Sequence, residues 1–421
     1  MKSIAETTDT ALGEEFARVR GQSEDLCRPL SPEDMMVQSC SDASPAKWHL
    51  AHTTWFFETF ILREFLPGYV GFDPDYLWLF NSYYNAVSRQ PEKKLRSGFS
   101  RPSAGTIFAY RKHVEDEIQR LIESNLGDEA ARRIILGLHH EQQHQELLAT
   151  DIKNALWSNP LQPCYLENDF PRGATAAPAT WIEYDGGLRE IGFAGEGFAF
   201  DSEMPRHLEY LRPFRLASRP VTCAEYLEFI EDGGYRKQEL WLSAGWQSNQ
   251  DEGWQAPLYW SNQDGQWSIY TVRGGVPLTD LLETPVCHVS LFEADAFARW
   301  AGKSLPLESE WEVAAQPLPV KGNLLESGLL HPQACPEPTP GEPAQMYGDV
   351  WEWTQSPFVG YPGFRAVAGA LGEYNGKFMS GQMVLRGGSV ATPASHIRPS
   401  YRNFFPPATR WQFSGIRLAE R

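Results

Sequence analysis

No stretch of the chain approaches the ~20 consecutive apolar residues that a membrane-spanning helix requires, which excludes a helical span. Positive charge is scarce: 37 Lys and Arg stand against 54 Asp and Glu, a net −17. A nucleic-acid-binding surface needs a basic footprint, and none exists at this scale. The six cysteines (Cys27, Cys40, Cys164, Cys223, Cys287, Cys335) stand singly, with no CxxC pair. That pattern fits free thiols in a reducing cytoplasm, not a disulfide frame or a thiolate zinc site. The opening MKSIAETTDTALGEEF has one Lys and no apolar core segment, so no secretory signal is expected there. Internal repeats, low-complexity tracts and a Gly-rich dinucleotide loop at a strand–helix junction are all lacking.

What is present is the balance of a folded protein, 42% apolar and 22% charged, over 421 residues, a length that suits two or three domains. Aromatic residues reach 13%, with 15 Trp. Such surfaces fill cores, and they also wall pockets for apolar or cationic ligands.

The chain changes character near residue 160. Before it, apolar residues recur at helical spacing over 8–25, 45–65, 104–124 and 128–156, which predicts a four-helix bundle. The second helix enters after Ser44-Pro45, and Gly127 and Asp128 are expected to stop the third and cap the fourth. Between the second and third lies a loop from Pro67 to Pro102. Beyond Leu161 come short β-like runs broken by Gly and Pro, with helices expected at Cys223–Asp232, Leu291–Gly302 and Glu308–Ala315. The reading is α+β: a helical domain over 1–160, a linker over 161–180, and a loop-rich mixed domain over 181–421.

Five of the ten histidines fall at two places in the bundle: His49 and His52, then His139, His140 and His144. On a helix, positions 140 and 144 differ by about 40° in azimuth, so both imidazoles leave one face a turn apart. A facing helix carrying His52 completes three nitrogen ligands, and His49, on nearly the same face, is a substitute for it. His139 points about 100° away, toward a supporting or surface position. The string His140-Glu141-Gln142-Gln143-His144 also satisfies H-E-x-x-H, a short pattern of zinc hydrolases with frequent chance matches. Spacing alone leaves Fe(II) and Zn(II) both open.

WHLAHTTWFFE (48–58) with HHEQQHQEL (139–147) resembles the DinB-type bundle of the ergothioneine-biosynthesis sulfoxide synthases. RPVTCAEYLEFIEDGGY (219–235), PVCHVSLFEADAFARWAGKSLPLESEWEVAA (285–315), GDVWEWTQSPF (348–358), RGGSVATP (386–393) and RPSYRNFFPPATRWQFSGIRLA (398–419) resemble the formylglycine-generating-enzyme (sulfatase-modifying factor) domain, whose fold is C-type-lectin-like. A working formylglycine generator needs two neighbouring catalytic cysteines, and Cys335 is alone, so here the domain reads as a scaffold.

The resemblance implies a mononuclear non-haem Fe(II) held by His52, His140 and His144. It implies small-molecule substrates: hercynine, which is Nα-trimethylhistidine, a cysteine or γ-glutamylcysteine thiol, and O2. The family's reaction is oxidative C–S bond formation at imidazole C2 with oxidation of sulfur to the sulfoxide. Gln143 is then placed to hydrogen-bond the substrate imidazole. Asn403-Phe404-Phe405 stands where relatives often carry Asn-Trp, an aromatic face for the trimethylammonium. Tyr83-Tyr84, in FNSYYNA, resembles the paired-Tyr variant of the family, a source of a proton or hydrogen atom. Both rings reach one pocket only on an irregular loop. One departure concerns the donor: where relatives continue Asn-Ala-Val-Gly and then Gly-Leu-Leu-Ser-Arg-Pro, this chain reads NAVSRQPEKKLRSGFSRPS (85–103). Selenoneine synthases share the architecture and use a selenosugar donor, which makes C–Se bond formation the first alternative. A zinc hydrolase using HEQQH is the alternative of another class.

Overall fold

The computed structural model describes residues 9–124, 126–172, 174–366, 371 and 376–421. It divides into two units: one runs through Tyr165 and includes Glu196–Phe198, and the other holds Leu166–Gly195, Ala199–Ala366 and 376–421. The expected linker, 161–180, is hydrogen-bonded within the second unit from Leu166 on, where the Leu166 N–H donates to Val272 O (2.9 Å) and Ala177 N–H to Cys335 O (3.2 Å).

The first unit is built on four long helices: α1 (Asp9–Cys27), α2 (Ala46–Phe57), α3 (Ala104–Glu123) and α4 (Asp128–Ser158). Helix α2 begins directly after Pro45, and all twelve of its residues are buried. A helix with no polar stripe has to sit inside, and α1, α3 and α4 each pack against it. It runs on through a wider π turn, Glu58–Leu62, in which the buried Glu58 carboxylate accepts from Tyr69 and Tyr110 hydroxyls at 2.7 Å each. The α3–α4 junction differs from expectation. Ser124 closes α3 and Gly127, with extended backbone, is itself the N-cap of α4, so Asp128 is the first helical residue; Asn125 lies outside the described residues. Asp128 and Glu129 sit in that first turn, where acidic charge meets the positive end of the helix dipole.

The second unit holds α5 (Cys223–Glu231), α6 (Ser243–Glu252), α7 (Leu291–Trp300) and α8 (Glu308–Ala315). Helices α5 and α7 start on capping boxes, Thr222 with Glu225 and Ser290 with Glu293. The polar run SAGWQSNQDE of α6 gave no apolar periodicity, and its one clear signal is Gly253, left-handed at φ 63° just past its end. Among the described residues, twelve short strands form four small sheets. The largest orders β10 (Asn403–Phe405), β9 (Met383–Arg386), β8 (Trp351–Pro357) and β11 (Ser414–Gly415), with β11 parallel to β8. Its core contains Trp311, Trp351 and Trp353, all fully buried, with the Trp311 indole N–H donating to Glu352 (2.7 Å). Among the described residues, no helix is long and apolar enough to cross a membrane.

Candidate metal centre

Helix α4 presents His140 and His144 from one face, and α2 brings His52 opposite them. One ligand-capable atom from each lies within 4.8 Å of the others. The close approach of the helices depends on Gly137, one turn before His140: a Cβ there would stand 2.7 Å from the Phe57 ring of α2.

Each ring is held. His52 donates from Nδ1 to Phe80 O (2.7 Å), which leaves the lone pair on Nε2, and that buried nitrogen meets no hydrogen-bond partner among the described residues. A fully buried polar atom left over in this way, pointing into a cluster of two further imidazoles, fits a ligand position, because an unsatisfied one otherwise costs about 1–3 kcal/mol. The Trp48 ring lies flat on His52 (4.6 Å between centroids, 10° between planes), and the Arg96 guanidinium covers Trp48 at 3.4 Å from its centroid. Phe56 packs on His140 at 4.6 Å. Burial pushes the His52 and His144 imidazoles well below their ordinary range and His140 down to about 3. Three neutral imidazoles converge, the protonation state a divalent transition metal requires. Donors that are all nitrogen suit Fe(II) or Zn(II) and not Mg(II) or Ca(II).

His49 does not substitute for His52. Its Nε2 faces Asp151 Oδ2 at 3.0 Å and its Nδ1 faces His144 Nδ1 at 2.9 Å. His139 turns away and stacks on Phe198 (4.0 Å, 12°).

Glu141 decides against the hydrolase alternative. A zinc hydrolase needs this carboxylate free beside the metal to take a proton from water. Here it is fully buried on the far side of α4, bonded to Arg20 (2.9 Å), Arg111 (2.6 Å) and Ser23 Oγ (2.6 Å). Burial alone would raise its pKa, but Arg111 and Arg20 outweigh it and hold the carboxyl down to about 2. A carboxylate so committed has neither the reach nor the basicity of a general base.

The other expected site residues fall as follows. Tyr83 and Tyr84 lie on an irregular segment that brings their hydroxyls to 3.4 Å and their rings to 4.6 Å. Tyr84 is buried against Trp55 (5.5 Å) and Phe60 (5.0 Å), and Trp55 in turn stacks on His52 (5.4 Å); Tyr83 is half-buried. Gln143 is half-buried on α4 between the two histidines of that helix. Asn403, Phe404 and Phe405 form β10 in the second unit, where Phe404 stacks on Phe358 (4.0 Å, 13°) and more distantly on Phe378 (5.9 Å). Sequence reasoning missed Asp151, Arg96 and the arginine clamp on Glu141. Asp151 had a signal, seven residues and two helical turns beyond His144 on the same face.

The DinB superfamily profile matches residues 15–148 and the sulfatase-modifying factor enzyme 1-like domain matches 168–324 and 326–421. Two proteins named hercynine oxygenase are each 34% identical to this chain and cover 89% of it. The one from Mycolicibacterium smegmatis aligns over 405 residues and 91% of its own length, and the one from Mycolicibacterium thermoresistibile over 403 residues and 87%. A formylglycine-generating enzyme from Streptomyces coelicolor is 35% identical over 146 residues, 32% of this chain and 46% of its own.

Proposed function

The chain belongs to the hercynine oxygenase family, an assignment that makes it an oxidoreductase, and we propose that it joins sulfur to C2 of the hercynine imidazole and oxidises that sulfur to the sulfoxide, using Fe(II) and O2. The observation that carries this reading is the three-histidine face, with its orphaned His52 Nε2 and no carboxylate among its donors. Bound by His52, His140 and His144, Fe(II) would supply the means to activate O2 beside the substrates. The balance closes without a further cofactor. Hercynine C–H, thiol S–H and O2 give C–S(=O) and one water, with C–S coupling and sulfoxidation each releasing two electrons to the oxygen.

The chain's own residues have distinct parts in this reading. His52, His140 and His144 hold the metal. Gln143, between the ligands on α4, orients the substrate imidazole. The Tyr83–Tyr84 pair holds and moves a proton through its adjoining hydroxyls. Asn403, Phe404 and Phe405 offer the trimethylammonium an aromatic face, a surface that attracts a cation with no hydrogen to donate. A selenosugar in place of the thiol is the second reading. It is favoured by the altered segment 85–103, from which Arg96 is taken into the interior, bonded to Ser44 Oγ (2.8 Å) and laid over Trp48.

The test is anaerobic reconstitution with Fe(II), addition of hercynine with cysteine, γ-glutamylcysteine or a selenosugar, and measurement of O2 uptake and product mass. With a thiol, the expected product is hercynine plus donor plus one oxygen less two hydrogens. A selenium adduct with the selenosugar alone selects the second reading. An iron-loaded protein that consumes no O2 in response to hercynine with any donor sinks both.

A further inference from the structure

We infer that Asp151 and His49 are positioning residues for the metal centre, forming a one-way relay that fixes which nitrogen of His144 carries the lone pair; the inference deepens the metal reading above and rests on it. The relay begins at the backbone. Asp151 Oδ2 accepts the Ser44 N–H at 2.8 Å, one residue before the Pro45 that opens α2, so its orientation is set by the start of that helix. The same oxygen faces His49 Nε2 at 3.0 Å, and His49 Nδ1 faces His144 Nδ1 at 2.9 Å.

The direction of these bonds follows from what each atom can do. The Asp151 oxygen that faces His49 already accepts the Ser44 N–H, and as an acceptor it takes the His49 Nε2–H. Two ring nitrogens 2.9 Å apart share one hydrogen, and with the His49 N–H directed to Asp151 that hydrogen is on His144 Nδ1. The His144 lone pair is thereby placed on Nε2, the nitrogen left for the metal. The opposite tautomer would turn an N–H toward His52 and His140. His52 reaches the same state by a different device, a single bond to the neutral Phe80 carbonyl. The relay at His144 ends on a carboxylate, and a carboxylate behind an imidazole both orients the ring and makes it a stronger donor. His49 and His52, three apart on α2, thus divide the work: one ligates and the other orders a ligand on α4.

The experiment compares Asp151→Ala, Asp151→Asn and His49→Ala with the wild-type chain. Fe(II) affinity is measured by anaerobic competition with a chromophoric chelator, the Co(II) absorption bands report the ligand field, and thermal melts of the metal-free proteins report stability. Asp151→Ala and His49→Ala should bind Fe(II) about 10–100-fold more weakly, with shifted Co(II) bands. Asp151→Asn keeps an acceptor for Ser44 and His49 but not the charge, so it should fold even if the alanine variant does not, and lose affinity by a smaller factor. Wild-type affinity and unchanged Co(II) bands in Asp151→Asn and His49→Ala, whatever their melting temperatures, would show that the relay only packs the helices and overturn the inference alone. A wild-type chain that takes up neither Fe(II) nor Co(II) overturns the metal reading itself.

Discussion

Gly137 and Phe57 meet where α4 crosses α2, and no side chain on α4 fits between them: a Cβ on Gly137 would lie 2.7 Å from Phe57 Cε1. Phe57 has nowhere to retreat, because it is fully buried, has Phe16 edge-on at 5.2 Å and carries the Arg20 guanidinium 5.3 Å from its ring centroid. Gly137→Ala therefore sets two effects against each other. Helix propensity improves by about 1 kcal/mol, while overpacking a close contact costs about 1–3 kcal/mol. The second wins, and the expected result is a net loss of about 1 kcal/mol in urea unfolding with severalfold weaker Fe(II) binding, since His140 lies one turn away. A variant that is stabilised and binds metal normally would show that this contact does not set the helix spacing.

Glu141→Gln separates two roles that the HEQQH string confuses. A general base replaced by its amide costs activity and little stability. The carboxylate in this fold is the buried counter-ion of Arg20 and Arg111, and removing it strands charge in the interior at a cost of about 3 kcal/mol. Glu115 and Glu24 also pair with these arginines, which keeps the loss from being larger. The pH dependence has a definite sign. A carboxyl held at about 2, below its ordinary 4.5, contributes stability that is complete above 4.5 and is lost as the pH falls toward 2. The stability gap between wild type and Glu141→Gln should be full at neutral pH and close as the solution is acidified through that window. A gap independent of pH would mean the ion cluster is not its source.

Helices α1, α3 and α4 were legible from apolar residues at helical spacing and α2, buried on every side, from its entry after Ser44-Pro45, and the α8 bounds Glu308–Ala315 emerged as expected. The His52, His140 and His144 grouping followed from i, i+4 spacing plus a facing helix. What stayed hidden was whatever depends on tertiary direction. Nothing in HEQQH tells that Glu141 turns to α1 and α3 while its neighbours His140 and His144 turn to α2. The third helix boundary was misplaced because glycine serves at both ends of helices, and its extended backbone at position 127 suits an N-cap as well as a stop. Helix α6 was invisible since its amides and Trp246 follow no apolar stripe, and it is held by contacts such as Gly245 against Phe292.

Tyr83→Phe and Tyr84→Phe should differ in effect. Tyr84 is 1% exposed and packed among Trp55, Phe56 and Phe60, whereas Tyr83 is half-buried, its hydroxyl 3.4 Å and its ring 4.6 Å from those of Tyr84. In the function proposed above, removing one hydroxyl leaves the metal ligands in place and takes away a proton or hydrogen source. One variant should therefore lose sulfoxide formation or divert to simple thiol oxidation, with Fe(II) content unchanged. Product ratios by mass spectrometry decide it; wild-type rates and ratios in both would make the pair a packing feature.

The last prediction concerns the trimethylammonium and follows from its inability to donate hydrogen bonds. Recognition then comes from aromatic faces and carbonyl oxygens, and in the function proposed above Phe404 is such a face, ordered by its stack on Phe358, 4.0 Å away and nearly parallel. Phe404→Leu should weaken hercynine binding severalfold, a loss of about 1 kcal/mol, because it exchanges a π face for a similar apolar volume. Binding of unmethylated histidine should barely change, since its small, strongly hydrated ammonium gains less from the same wall. Phe404→Trp should keep or strengthen the preference, Trp being the better cation–π partner. Anaerobic titrations of the Fe(II) protein with both ligands measure the difference. Equal weakening for the two would mean that Phe404 acts through its packing against Phe358 and that the methyl-selective surface is formed by other residues.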